Sequence, residues 1–204
     1  TGGGTMEDVN RAYDAVMPIN HHLCILQCTA GYPADFDQLN LSVITTFRER
    51  FPNLTIGLSS HDNGIAMAVA AYMLGARVIE KHFTLNHTWK GTDHAFSLEP
   101  IGFRKMVRDL ERVKVAIGDG VKQTYETEKN PIIKMGKKLV AARDLPAGYT
   151  IRREDIALKS PGDGLPPYEL EKVIGRVTRQ ELKEDDDIAY EVLNGAEDWA
   201  EAAS

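Results

Sequence analysis

TIGLSSHDNGIAMAVAAYMLGARVIEKHFTLNHTWKGTDHAFSLEP, residues 55–100, is the stretch from which the rest of the chain is read. Residues 55–61 and 78–82 are short strand-like runs, and each ends in a histidine, His61 and His82. Between them, residues 64–74 are Ala-rich and apolar, and Gly75 follows as a stop. The pattern is strand, helix, strand, with polar residues at the strand ends. In parallel α/β folds, chemistry collects at the C-terminal ends of the strands. Two imidazoles brought together there suit a divalent metal.

Side-chain parity sharpens this expectation, because strand side chains alternate faces. Thr55, Gly57, Ser59 and His61 share one face. Val78, Glu80 and His82 share a face on the next strand. Ile56, Leu58 and Ile79 are expected to face helices. A glutamate and two histidines on an inward face are costly to bury without partners, so the interior is expected to be polar at its top. A single such histidine reads most simply as a strand cap bonded to a backbone carbonyl. The pair, with Asp93 in the following loop, reads as a metal site.

The chain has 204 residues, 43% of them hydrophobic and 26% charged, which is ordinary for a globular chain able to bury a core. A net charge of −6 argues against a nucleic-acid surface. No run of 18 apolar residues is present, so no membrane span is expected. Cys24 and Cys28 lie about 13 Å apart along a strand, beyond disulfide reach, and read as reduced core residues of a cytoplasmic protein.

Taken in order, Thr5 is a helix cap with Asp8 three residues on, ahead of an amphipathic run to Val16. Residues 24–29 (CILQCT) read as a strand whose Gln27 and Thr29 point into the same interior as His61. A helix is expected over 39–50 and another over 101–117, opened by Glu99 and Pro100. This alternation points to a parallel sheet with helical crossovers and, with only three strands, to part of a (β/α) barrel. Residues 118–137 are polar and read as a linker. Residues 138–193 carry short β-rich pieces (LVAARD, YTIRREDIAL, VIGRVT and DIAYEVL) separated by Pro-Gly turns, a second and smaller domain.

These residues resemble the N-acetylneuraminate (sialic acid) synthases. The resemblance rests on LQCTAGYP (26–33), IGLSSH, GARVIEKHFTL and KGTDHAFSLEP, and for the second domain on LVAARDLPAGYTI and the Pro-Gly-Asp-Gly loop of the antifreeze-like (SAF) domain. It implies an α/β fold: strands six to eight of a (β/α)8 TIM barrel over 1–118, a linker over 119–137, a β-clip SAF domain over 138–196 and a tail over 197–204. It implies a metal-dependent condensation of phosphoenolpyruvate (PEP) with N-acetylmannosamine, giving N-acetylneuraminate and phosphate. The metal would be Mn2+, with Mg2+ or Co2+ as alternatives, held by His61 and His82. Ser59 matches a PEP contact, Asp93 a sugar-binding carboxylate and Tyr32 a sugar contact. Thr29 and Gln27 join the substrate set, and Asp62-Asn63 opens a helix whose N-terminus favours anions.

The resemblance also implies a domain-swapped homodimer, and a chain that begins after strand five. On that expectation the PEP-anchoring lysine and a catalytic glutamate lie outside these 204 residues, which alone are inactive. Two positions depart from the family pattern. Ala30 stands where bacterial relatives carry an asparagine that helps hold PEP. Ser160, beside Lys159, stands where many carry an arginine that reaches a partner subunit. Lys90 and Trp89 lie in the loop before Asp93, where Lys90 reads as a solvated lysine, and His21, His22, His87 and His94 read as loop or surface residues. The alternatives are a pseudaminic or legionaminic acid synthase and, in another class, a non-catalytic carbohydrate-binding module using the SAF domain. The His61, His82 and Asp93 set speaks against the last.

Overall fold

A computed structural model describes residues 1–194 of the chain, so the tail read at 197–204 lies outside the described residues. The fold divides into two compact units, Thr1–Val121 and Lys122–Ser204.

The first unit alternates helices and strands: α1 (Met6–Val16), β1 (Cys24–Cys28), α2 (Val43–Arg50), β2 (Thr55–Ser60), α3 (Ala66–Met73), β3 (Val78–Lys81) and α4 (Pro100–Ala116). The strands form a parallel sheet in the order β1-β2-β3. Each boundary has a local cause. Thr5 and Asp8 close a capping box at α1, in which the Thr5 amide donates to Asp8 Oδ2 at 2.7 Å. Pro100 occupies the first turn of α4, where a missing N–H costs nothing. Gly75, at φ +106°, turns the chain out of α3 in a conformation other residues resist. The Arg77 amide then donates to the Ile56 carbonyl at 2.8 Å, seating the chain beside β2 at the start of β3.

Register fixes the two faces of the sheet. On one, Ile25, Ile56 and Leu58 pack with Ile44 and Phe47 of α2, with Phe51, Ala71 and Ala76, and with half-buried Ile79. This is the helix-covered core expected from Ile56, Leu58 and Ile79. On the other, Leu26, Gly57 and Val78 make one layer, and Cys28, Ser59 and Glu80 the next. Gly57 is required there: a Cβ would lie 2.3 Å from Leu26 Cδ2 and 2.4 Å from the Val78 carbonyl oxygen.

Some elements are shorter than the sequence pattern implies. The helix expected from residue 39 begins at Val43, because Phe36–Gln38 form a separate 3-10 turn and Asn40 sits at φ 43°. Helix α3 begins at Ala66, after a turn through Gly64. The polar stretch read as a linker includes a 3-10 turn at Glu126–Glu128 and the helix α5 (Lys129–Met135).

In the second unit the extended pieces are shorter than the sequence implies. Strands β4 (Lys138–Ala141) and β5 (Ile156–Lys159) pair antiparallel. Of YTIRREDIAL only the last three residues belong to β5, with a 3-10 turn at Arg153–Asp155 ahead of them. Val173 ends the short helix α6 (Leu170–Val173), and DIAYEVL turns at Tyr190–Val192. Single bridges replace ladders: Val140 with Asp187, Leu145 with Leu182, Thr150 with Val177 and Thr178 with Leu193. Frequent Gly, Pro and charged residues interrupt pairing after one residue. The core of Leu139, Leu145, Ile151, Val173, Leu182, Ile188 and Leu193 holds these pieces together instead. Asp155, fully buried, accepts from the Arg152 amide at 2.8 Å and from Arg143 Nε at 2.8 Å. Burial pushes its carboxyl up, but these donors and the Tyr149 hydroxyl outweigh burial and hold it below the ordinary carboxylate range.

Candidate active site

His61 follows β2 directly and His82 follows β3 directly, so the register that pairs Ser60 with Lys81 brings the two imidazoles together one step further along. Their ring centres are 5.1 Å apart and the rings stand nearly perpendicular, at 85°. His61 is buried, and the His82 side chain is 28% exposed.

Hydrogen bonds select the free nitrogen on His61. Its Nδ1 lies 2.8 Å from the Thr29 carbonyl oxygen, which only accepts, so Nδ1 carries the proton. Nε2 is left as the lone-pair nitrogen. Nδ1 of His82 lies 3.6 Å from Asp93 Oδ2, a charge contact just beyond hydrogen-bond length that sets the carboxylate beside the ring. Neither Nε2 has a hydrogen-bond partner among the described residues. A ring bound through nitrogen at about 2.1 Å has its centre about 3.2 Å from the ion, so two rings sharing an ion have centres about 4.5–5.3 Å apart. The observed separation falls in that range. Among the described residues, no group of three His, Cys, Asp or Glu side chains is placed to hold a metal. Two imidazoles are thus the groups that an ion would meet here among the described residues.

An aromatic wall surrounds the pair. The Tyr32 ring centre is 4.3 Å from that of His61 and 5.9 Å from that of His82. Phe96 is 5.0 Å from His82. Tyr32 is nevertheless 54% exposed, so one side of its ring remains available to a ligand. The loop carrying Asp93 is pinned to the sheet, because the Leu98 amide donates to the His82 carbonyl and the Thr84 amide to the Leu98 carbonyl. His94 and His87 brace this loop from within. His94 Nδ1 is 2.7 Å from Thr84 Oγ1, and His87 Nδ1 donates to the His94 carbonyl at 3.1 Å. Trp89 stands edge-on to His94, with ring centres 5.7 Å apart.

One layer away from the histidines, Ser59 Oγ donates to Glu80 Oε1 at 2.8 Å. The serine proton expected to meet a substrate is thus already given to a carboxylate. Glu80 is the acidic group that strand parity puts on this face. Cys28, Ser59 and Glu80 border a groove of about 470 Å³ that runs along β1 to Val9, Tyr13 and Val16 and stops short of the histidines.

Cys24, read as a core residue, is exposed at the start of β1 and Cys28 is half-buried, and three further expectations need correction. Gln27 is in register with Leu58 and lies on the helix-covered face, where its Nε2 donates to the Leu39 carbonyl at 3.0 Å. The Thr29 hydroxyl donates to the Gln38 carbonyl at 2.9 Å, so this residue meets the site through its own backbone carbonyl. Polarity suggests an inward face for both side chains, but the residues of β1 on that face are Leu26 and Cys28. Asp62 does not open a helix. It is buried and ion-paired with Lys81 Nζ at 3.1 Å, with both side chains 1% exposed. Burial pushes the Lys81 ammonium below its ordinary range, and Asp62 opposes that shift. The sequence carried a signal for this pair: Lys81 alternates onto the face of Ile79, where a charge needs a partner.

A family model described as the NeuB family matches residues 1–122. The chain belongs to the NeuB family. A SAF domain model matches residues 138–191 of this NeuB-family chain. The N-acetylneuraminate-9-phosphate synthases of Mus musculus and Homo sapiens are each 38% identical to it, over 94% and 95% of the chain and 54% of their own length. The N,N'-diacetyllegionaminic acid synthase of Campylobacter jejuni is 34% identical over 81% of the chain and 49% of its own length. The chain spans about half the length of these curated relatives. Among solved structures, the N-acetylneuraminic acid (sialic acid) synthetase of Leptospira borgpetersenii serovar Hardjo-bovis, in complex with citrate, is 30% identical with a TM-score of 0.57, over 64% of this chain and 46% of that one. Spore coat polysaccharide biosynthesis protein spsE of Bacillus subtilis is 28% identical with a TM-score of 0.54, over 95% and 59%. No helix among the described residues is long and apolar enough to cross a membrane.

Proposed function

We propose that this chain is the C-terminal part of a PEP-dependent nonulosonate synthase. The parallel sheet would be three strands of a (β/α) barrel, and the site at their ends would join PEP to N-acetylmannosamine or a related N-acetylated hexose. The observation that carries this reading is the His61 and His82 pair at matched strand ends, with neither Nε2 hydrogen-bonded among the described residues, in a NeuB-family chain. The two imidazoles would hold a divalent metal, Mn2+ before Mg2+ or Co2+, which when bound supplies Lewis-acid polarisation of the sugar aldehyde.

The chain's own residues do the rest. The Thr29 carbonyl holds His61 in the tautomer that presents Nε2, and Asp93 sets beside His82 a carboxylate that is available to sugar hydroxyls. The exposed face of Tyr32 offers a surface for the apolar side of a sugar. Ser59 and Glu80 place a hydroxyl and a carboxylate one layer from the histidines, where PEP would lie. In the reaction, C3 of PEP bonds to the aldehyde carbon and water supplies an oxygen to C2. Phosphate departs by cleavage of the C2–O bond.

The test is phosphate release from PEP by the polypeptide that carries these residues together with the remaining strands. Release that needs both Mn2+ and N-acetylmannosamine, and is abolished by His61→Ala and by His82→Ala, is the expected result. Release that survives either substitution, or that is independent of the sugar, overturns the reading.

A further inference from the structure

We propose that Lys81 and Asp62 are positioning residues that set the separation of the His61 and His82 rings, a role that rests on the metal-site reading above. Lys81 follows Ile79 by two positions and so lies on the helix-covered side of β3, where an aliphatic side chain would be expected. Its ammonium uses all three donors on β2 and the residues after it: Ser60 Oγ at 3.1 Å, Asp62 Oδ1 at 3.1 Å and the Asp62 carbonyl oxygen. Ser60 Oγ in turn donates to Asp62 Oδ1.

Lys81, the neighbour of His82, thereby grips both residues that flank His61. The Ala34 amide fixes His61 from the front, donating to its carbonyl at 3.2 Å. The two strand ends are tied on the face opposite the imidazoles, at the level of the imidazoles themselves.

A buried ion pair is weak evidence for stability, since apolar side chains of similar volume often replace one at no loss. This pair also leaves Asp62 Oδ2 buried without a partner among the described residues, a feature that stability alone would not favour. Fixing registry is the best-attested use of such pairs. Here the registry that would be fixed is the 5.1 Å spacing of the rings.

The experiment compares the chain with Lys81→Met and with the double variant Asp62→Leu/Lys81→Met, which removes both charges and leaves none stranded. Two readouts are taken: the ring-to-ring NOE between His61 and His82 in the metal-free protein, and Mn2+ affinity by calorimetry. The wild-type chain is expected to show the NOE. The double variant is expected to unfold at or above the wild-type temperature, yet to lose the NOE and bind Mn2+ about 10- to 100-fold more weakly, the range for residues that orient metal ligands. Should Lys81→Met fail to fold, the double variant decides. A folded double variant with the wild-type NOE and affinity overturns the proposal. So does unfolding of both variants, which makes the pair a folding requirement, and so does absence of the NOE from the wild type. A wild-type chain that shows the NOE but takes up no Mn2+ refutes the metal reading instead, and the clamp is then judged on the NOE alone.

Discussion

Gly57→Ala is expected to be one of the most damaging single-methyl additions to this chain. Gly57 sits in the central strand, in register with Leu26 on one side and Val78 on the other. A Cβ there would lie 2.4 Å from the Val78 carbonyl oxygen and 2.9 Å from Val78 Cβ. The first contact is about 1 Å short of an ordinary one, and its partner is backbone held in the β2–β3 pairing. Relief requires the strands to part, weakening their hydrogen bonds. Overpacking in a filled site costs about 1–3 kcal/mol, and a clash with fixed backbone belongs at the upper end. About 3 kcal/mol is a large share of the stability of a small unit, and corresponds to a fall in Tm of roughly 12 °C. The assay is thermal unfolding by circular dichroism, with Gly102→Ala as the matched control. Gly102 lies in α4, where a Cβ would be 3.4 Å from Leu98 Cδ2 and the change to alanine favours the helix by up to about 1 kcal/mol. Gly57→Ala should lower Tm and Gly102→Ala should leave it unchanged or raise it. A Gly57→Ala protein as stable as wild type would refute the register, and with it the placement of Ser59, Glu80 and both histidines on one face.

Three further outcomes follow from other contacts. Asp155→Asn removes a buried carboxylate from the Arg152 amide and the Arg143 guanidinium and should cost the second unit about 2 kcal/mol at pH 7, measured by urea unfolding. Because the Asp155 carboxyl is held below its ordinary range, its contribution is present above pH about 4 and lost as pH falls through the lowered value, so the wild-type advantage over Asp155→Asn should shrink at lower pH. Asp93→Asn, which keeps the shape of the group beside His82, should weaken Mn2+ binding about tenfold without lowering Tm, as read by calorimetry. Thr5→Ala breaks the capping box of α1 and should cost about 1 kcal/mol, seen as a loss of a few degrees in Tm.

Much of the site was legible because it lies in β2 and β3, where sequence and register agree. Ile56, Leu58 and Ile79 are apolar and alternate with Gly57, Ser59 and Glu80, so only one assignment of faces buries the apolar set. His61 and His82 then fall on the opposite face at the same height. Strand β1 gave no such guide. Its alternation sets Leu26 and Cys28 against Ile25 and Gln27, and both faces contain apolar and polar residues. Which face Gln27 takes depends on the Leu39 carbonyl, supplied by a loop 12 residues on, and periodicity does not report that acceptor. The Lys81–Asp62 pair was obscured because Asp62 sits where a helix cap is expected, just before Gly64. Its partner lies 19 residues away on the next strand. In the second unit the misread strands share one cause: single bridges around a compact apolar core leave β-like composition without β-ladders.

Whether His61 and His82 act as one divalent centre is tested most directly by Mn2+ binding followed by electron paramagnetic resonance. Titrated with Mn2+, the wild-type chain should remove one ion per chain from the free-ion signal, and His61→Ala and His82→Ala should each abolish that uptake while leaving the circular dichroism spectrum unchanged. Uptake that persists in both variants, or a folded wild-type chain that binds no Mn2+, would contradict a shared centre.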